Sequence, residues 1–500
     1  MSLLGIDVGT TGCKTVVYAV DGRRLAAGSV SYRVERGAGR AELPVAEVEG
    51  AVAEAVRRAL LSARGDPVSA LCVTSMGESF VLVDDVGPVC PVSILGHDPR
   101  GREEIAPIID AIGTEEYFRI SGNVPTENHS LPKLLWLAKH DASALKRAKK
   151  FLCWSDYISF RMGAFPSIGY SHANRALMLD LDAGQWSERI VKASGLNPDL
   201  LPMVLPEGSV VGKVSPQGEA RFGVPQGAVI ILGGHDQIFN ALGAGCVVAG
   251  TAVDGMGTFE CITPVYAGPP PHADIHALGL NVEHHCLSGL FVSFIYNQSG
   301  SVAEWFLRTF AFNEPDLSGA FARLEREMPP GPARPLFLPL LENSGSPYFI
   351  SGASGVYEGI KFDTTRGELF KATLEGITYY FLESLRRLVG IGIKLDELAV
   401  SGGASASDAW LSLKADIFNL PVVRLEVKDS GAMGAAMLAG IRTDVYRDAA
   451  EAASLYVRRA ERFEPDPGRA RSYAERFGLF STMYSERAER LRSLSRLSGY

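Results

Sequence analysis

No two cysteines in this chain are spaced C-x-x-C, and the seven present (Cys13, Cys72, Cys90, Cys153, Cys246, Cys261, Cys286) are scattered and odd in number. That argues against a disulfide framework and suits the reduced thiols of a cytoplasmic protein. An excess of basic charge is also missing. With 49 Lys and Arg against 57 Asp and Glu, the net charge is -8 and the pI near 5.7, which gives no basic surface for nucleic acid or an anionic membrane. There is no charged-then-apolar leader, and the most glycine-rich apolar stretch, residues 241–253, is too short and broken to span a bilayer. Low-complexity segments and short repeats are absent. Two nucleotide motifs fail at one residue each. A P-loop needs glycine before its lysine, where Cys13 precedes Lys14, and Val248 takes the third glycine of a dinucleotide fingerprint begun by Gly243-Ala244-Gly245. Small-molecule chemistry remains. At 500 residues the chain is long enough for two large domains and a C-terminal appendage.

What is there begins at once. An apolar run, residues 3–8, delivers Asp7, Gly9, Thr10, Thr11 and Lys14 to a tight turn before a second apolar run, 15–20. Glycines let backbone amides approach phosphate oxygens, the threonines add hydroxyls, and Asp7 offers a carboxylate to a magnesium ion carrying phosphates. Asp21-Gly22 signals a hairpin turn into a third strand, 25–32. Apolar spacing predicts a helix over 45–62, strands at 70–74 and 80–83 with Glu78 in the loop between, and amphipathic helices through 100–150. A short buried strand, 229–232, ends in Gly233-Gly234-His235-Asp236-Gln237 before another helix. After the small-residue hinge 243–250, a second strand and turn place Gly255, Gly257 and Thr258 as a weak echo of the first hairpin. A helix over 370–388, a strand at 397–401 and the turn Gly402-Gly403-Ala404-Ser405 follow. The prolines at 269–271 and 329–335 punctuate loops, and the charged tail from 448 reads as helical.

These residues together resemble the FGGY carbohydrate kinases, the group of glycerol kinase, xylulokinase and gluconokinase. Residues 355–375 carry the likeness most specifically, with Gly355, Tyr357, Gly359, Ile360, Glu368, Leu369, Ala372, Thr373, Leu374 and Glu375 in the order of the C-terminal signature. Lys133-Leu134-Leu135-Trp136-Leu137 and His140 fit half of the N-terminal one, and Asn128 departs from its first position. The resemblance implies an α/β protein of two ribonuclease-H-like domains with a cleft between them, of the actin, hexokinase and Hsp70 type. A sugar-binding domain is expected over 1–245, a nucleotide-binding domain over 246–445 and a helical extension over 446–500.

The expected reaction moves a phosphoryl group from ATP to a hydroxyl of a small ketose or polyol. Asp236, at the end of a buried strand, suits the general base, with the role of helix N-cap as its plainer alternative. Asp7 would orient magnesium, through water where needed. Gly9, Thr10, Thr11, Gly257 and Thr258 would contact phosphates, and Gly402, Gly403 and Ala404 would lie against the nucleotide. Lys14 is either a phosphate partner or a solvated strand lysine. The sugar pocket is expected from Glu78, Asp98, Arg100, Gln237 and His172. Gly96 and His97 stand where tryptophan is common, His172 and Arg175 replace aspartate and glycine, and 342–347 departs from the common form, so substrate identity is open. An aldonate such as gluconate, and a catalytically silent sensor, are the alternatives. The histidines and cysteine at 284–286 alternate faces of a strand and chelate no single metal. No metal beyond magnesium is expected, nor any nucleic-acid or membrane partner, and a homodimer is compatible.

Overall fold

The structure is a computed structural model that describes residues 1–500 except 38, 64–65, 269–271, 312–315, 343, 351, 353, 427–428 and 499–500. The proline run at 269–271 and part of the 342–347 stretch therefore lie outside the described residues. The apolar run at the start becomes strand Ser2–Val8, and its hairpin partner is Gly12–Ala19, with Asp7 opposite Lys14. Asp21 and Gly22 turn the chain as their chemistry requires. The Asp21 carboxylate accepts from the Arg23 amide at 3.0 Å, and Gly22 takes φ +82°. Strand Arg24–Ser31 then pairs alongside.

The first sheet runs, by strand, Val210–Lys213, Val229–Ile231, Val68–Ser75, Ser2–Val8, Gly12–Ala19, Arg24–Ser31. Its three middle strands, Val229–Ile231, Val68–Ser75 and Ser2–Val8, are mutually parallel and the outer ones antiparallel. A second sheet repeats that plan. Arg459–Phe463, Val422–Leu425, Glu397–Ser401, Thr251–Met256 and Phe259–Ala267 follow in order, and Ile295–Gln298 and Leu290–Val292 pair beyond, with the same pattern of parallel centre and antiparallel flanks. The faint echo of glycines and threonine between the two hairpins thus sits on two sheets of one topology. This α/β duplication is the expected pair of ribonuclease-H-like halves.

Two helices hold the halves together. Helix Asp236–Gly243 leaves the first sheet, and helix Ser430–Arg442 leaves the second and packs on the strands of the first. Their crossing is possible only without side chains. A Cβ on Gly243 would stand 2.0 Å from the Ser430 carbonyl oxygen, one on Gly434 2.2 Å from that of Phe239, and one on Gly5 1.8 Å from that of Ala432. Close crossing sets the start of helix Ser430–Arg442 against Asn240 and Gly243, the second half of the other helix, and beside Asp7 near the end of strand Ser2–Val8.

The signature stretch 355–375 is framework. Strand Val356–Glu358 pairs with Leu336–Leu338, and Thr365 and Glu368 form a capping box that opens helix Arg366–Gly390. Tyr357 and Thr373 share a hydrogen bond of 2.6 Å, and Glu375 accepts from the Ala333 amide at 2.9 Å. The tail departs from a purely helical reading. Arg459–Phe463 is an edge strand whose charges pair across the sheet, Arg462 with Glu397 and Glu461 with Arg424 at 2.9 Å, before helix Pro467–Ser498. Charged side chains on an exposed edge strand leave no apolar alternation to read.

Candidate active site

Asp7 occupies the next-to-last position of its strand, against the start of helix Ser430–Arg442. Its Oδ1 is buried without a hydrogen-bond partner, and a Cβ on Gly431 would stand 2.7 Å from its Oδ2. Burial first, then the nearby Asp236, pushes Asp7 up to about 7, while Lys14 pulls the other way. A buried carboxylate with an unsatisfied oxygen and a second acid in its field has the donor chemistry that a hard cation takes. Lys14 is half-exposed and lies 3.3 Å from Asp429, which Arg24 also meets at 3.0 Å, so both bases link the first half to the start of helix Ser430–Arg442.

The hairpin tip is tight. Gly9 spends its amide on the Gly12 carbonyl at 3.0 Å, so that group is not available to a ligand, while Thr10 is half-buried and Thr11 exposed. In the second hairpin Gly257 and Thr258 are exposed, and their carbonyls accept the Gly300 and Ser301 amides at 3.1 and 3.2 Å. Gly402, at φ +96°, lies against that hairpin. A Cβ there would be 2.5 Å from the Met256 carbonyl, and Gly403 faces open space with nothing within 4 Å. The structure thus assembles the 257–258 and 402–404 turns on one side of the cleft. Trp410, behind them, is fully buried.

Asp236 begins its helix, with His235 at the cap, and its side chain is 23% exposed. It does not cap the helix itself. Burial raises its pKa, with His235 opposing and Glu78 adding to the rise. Gln237 donates to Asp236 Oδ1 at 3.3 Å, and His235 Nε2 lies 3.4 Å from the same oxygen, which leaves Oδ2 open.

Of the residues expected around the sugar, Glu78 and Gln237 are brought to Asp236. Glu78 is gripped by Arg175, whose Nε donates at 2.8 Å and whose Nη1 reaches Glu283 of the second sheet at 3.3 Å. Burial pushes Glu78 up, but Arg175, His235 and His129 overcome it and hold the carboxyl at about 2. Asp98 and Arg100 are placed otherwise. Asp98 is fully buried and spends its oxygens on the Arg100 guanidinium and on the Ala41 amide at 2.7 Å, while Arg100 also pairs with Glu42. The Arg100 Nε and Nη2 groups and both Asp98 oxygens are thus engaged within the first half. His172 is likewise sealed, with Ser155 at 3.2 Å, Ser75 at 3.4 Å and Asp156 at 3.6 Å around its ring. Cys153, Asp156 and His172 lie close enough to one another to bind a metal, yet the imidazole and Asp156 already compensate each other.

A cavity of about 180 Å³ opens between the halves, lined by Asn123, Asn128, His129 and Arg175 from the first and by Asn281 and Tyr296 among others from the second. Sequence reading missed most of this wall. Arg175 and Asn128 stand out in the sequence only as departures from family positions, Glu283 lies beside a histidine pair that draws attention as a metal motif, and Asn123 and Asn281 carry no pattern.

A duplicated α/β scaffold with acids between its halves is a two-domain architecture of the actin and hexokinase type, and sequence comparison makes the class particular. The N-terminal domain of the FGGY family of carbohydrate kinases matches residues 2–243 and the C-terminal domain matches 256–443, so the chain belongs to that family and is a carbohydrate kinase. Xylulose kinase of Bacillus subtilis is 27% identical over 491 residues, 97% of this chain and 96% of that protein. Autoinducer-2 kinase of Salmonella choleraesuis is 26% identical over 516 residues, 97% and 94%. The crystal structure of xylulose kinase from Rhodospirillum rubrum superposes with a TM-score of 0.91 at 25% identity, over 98% of this chain and all of that one. Family membership implies ATP as the donor. Among the described residues no helix is long and apolar enough to cross a membrane.

Proposed function

We propose that this kinase transfers the γ-phosphoryl group of magnesium-ATP to a hydroxyl of a small uncharged sugar, a ketose or polyol, with Asp236 as general base. The observation that carries the reading is the electrostatically linked Asp7 and Asp236 pair, one carboxylate against the start of helix Ser430–Arg442 with a buried, partnerless oxygen and the other opening helix Asp236–Gly243 with Oδ2 unengaged. Asp7 suits a magnesium ion, directly or through water, and that ion when bound neutralises the charge on the transferring phosphates. Gly257 and Thr258 from one half and Thr10 and Thr11 from the other would meet the phosphates, and the open turn at 402–404 suits a flat base. Asp236 Oδ2 accepts the sugar hydroxyl proton as the new O–P bond forms and ADP departs.

The wall of the cavity favours a neutral acceptor. Arg175, its one guanidinium among the described residues, is already neutralised by Glu78 and Glu283, and burial holds His129 down at about 3 and therefore uncharged. An aldonate carboxylate would find no unpaired cation there and three acids nearby. Resemblance to the xylulose kinases points to a ketose, and no observation favours a silent sensor.

An ADP-release assay with magnesium-ATP over ketoses, polyols, aldoses and aldonates, run beside Asp236→Asn, tests both parts. Turnover is expected with ketoses or polyols and not with aldonates, and the variant should lose about 10²- to 10⁴-fold. Turnover confined to aldonates refutes the neutral pocket. Activity surviving in Asp236→Asn removes the base.

A further inference from the structure

His235 stands between two carboxylates from different halves of the molecule. Its Nε2 lies 3.4 Å from Asp236 Oδ1 and its Nδ1 3.6 Å from Glu283 Oε2. Both Nδ1 and that Glu283 oxygen are buried and without a hydrogen-bond partner. The other Glu283 oxygen is engaged, by Arg175 at 3.3 Å and by the Asn281 amide group at 3.1 Å, so the carboxylate is fixed with its free oxygen toward the imidazole. The ring itself is confined. Its backbone amide donates to Ser171 at 2.9 Å, Phe294 packs edge-on at 5.2 Å, and a Cβ on Gly77 would stand 2.8 Å from the ring. An imidazole that faces a carboxylate from each nitrogen satisfies both only when both nitrogens carry a proton, and a neutral ring donates to one of them.

We propose that His235 is the positioning residue of the base, and that Glu283, carried by the second half, orients it. Two nitrogens, from His235 and Gln237, then converge on Asp236 Oδ1 and turn Oδ2 toward the acceptor. Because Glu283 arrives with the second sheet, a slight tightening of the cleft brings Oε2 to Nδ1 within hydrogen-bond reach and completes the alignment. Catalytic geometry is thereby tied to closure, through a contact that touches neither sugar nor nucleotide.

This inference rests on Asp236 being the base, and the experiment separates the two. Glutamine can place an amide nitrogen near the histidine Nε2 position, and asparagine near Nδ1. His235→Gln should keep about a tenth or more of kcat, whereas His235→Asn should lose about 10²-fold, the cost of a lost donor or a misplacement near 1 Å. KM for ATP and sugar should stay within about threefold in both, since neither ligand is contacted. Glu283→Gln should lower kcat about tenfold in the natural background and add little on top of His235→Asn, because the two act as one unit. Urea midpoints and ATP binding identify any variant that has simply lost its fold, and Glu283→Gln, which keeps shape and size, serves in its place. Equal activity of the Gln and Asn variants, a rise in KM instead of a fall in kcat, or independent multiplication of the Glu283 and His235 effects would overturn the proposal. Should Asp236→Asn itself retain activity, the base assignment fails first.

Discussion

Gly434→Ala sets two physical effects against each other. In the interior of an exposed helix, Gly to Ala stabilises by about 1 kcal/mol through backbone entropy. At position 434 the added carbon would lie 2.2 Å from the Phe239 carbonyl oxygen and 3.0 Å from the Gly243 nitrogen, both backbone atoms of the opposing helix. A carbon and a carbonyl oxygen meet at about 3.3 Å, so the helices must part by about 1 Å. Overpacking of this kind costs about 3 kcal/mol at its upper end, and subtracting the propensity gain leaves a net loss of about 2 kcal/mol. Phe239 is one turn from Asp236, and Ser430–Arg442 starts beside Asp7, so parting the helices moves both acids. A displacement near 1 Å predicts a fall in kcat of about 10²-fold. Gly478→Ala is the control, since nothing lies within 4 Å of a Cβ there. It should gain about 0.5–1 kcal/mol and leave kcat alone. Urea midpoints and kcat for both variants decide the matter. If Gly434→Ala is as stable as Gly478→Ala and turns over within threefold of the natural protein, the close crossing does not position the site.

Lys414→Met should cost about 3–5 kcal/mol by urea denaturation, because Lys414 is fully buried between Asp254 at 2.8 Å and Glu260 at 2.5 Å and its loss strands two acids. Arg308→Ala, which breaks an exposed pair with Glu304, should change stability by less than about 0.5 kcal/mol. Glu375→Gln tests the signature acid. Burial pushes Glu375 up from 4.5 to about 7, so the fold prefers its neutral form; that contribution is full below about pH 4.5 and is lost as the pH rises through 7. The stability of the variant relative to the natural protein should therefore rise between pH 5 and pH 8, by about 1–3 kcal/mol, and parallel curves would refute the assignment.

Local chemistry made much of the fold readable. Asp21-Gly22 turned where predicted, the helix at 45–62 has those bounds, and the strand at 397–401 likewise. Those segments obey one rule each, period or turn, within a dozen residues. The repeat of the two sheets was audible only as a few glycines and a threonine, because a shared strand order constrains burial and direction and leaves side chains free to differ. The site divides the same way. Asp7 sits at the end of a buried strand, and Glu78, Asp236 and Gln237 in or just after the turns that leave such strands, where sequence marks them, and the structure gathers them. Asp98, Arg100 and His172 are polar residues in the right stretch of chain, yet each is spent on a neighbour, and no spacing reveals whether a buried group is already paired. Arg175 and Glu283 meet across 108 positions, a relation invisible without the fold.

The two hairpins show what separates a framework acid from a working one. Asp7 and Asp254 each lie on the first strand of a hairpin, each has one buried oxygen without a partner, and burial pushes each up to about 7. For Asp254 the compensating cation is built in, since Lys414 is sealed against it and nothing from outside is needed. Asp7 has no such partner. The nearest base, Lys14, is 53% exposed and engaged with Asp429 instead. On the proposed reading a divalent cation arriving with its nucleotide supplies that charge at Asp7, and without it the raised pKa lets a proton do so. On that reading the duplicated scaffold keeps one acid for stability and one for binding by where it stores the opposing charge.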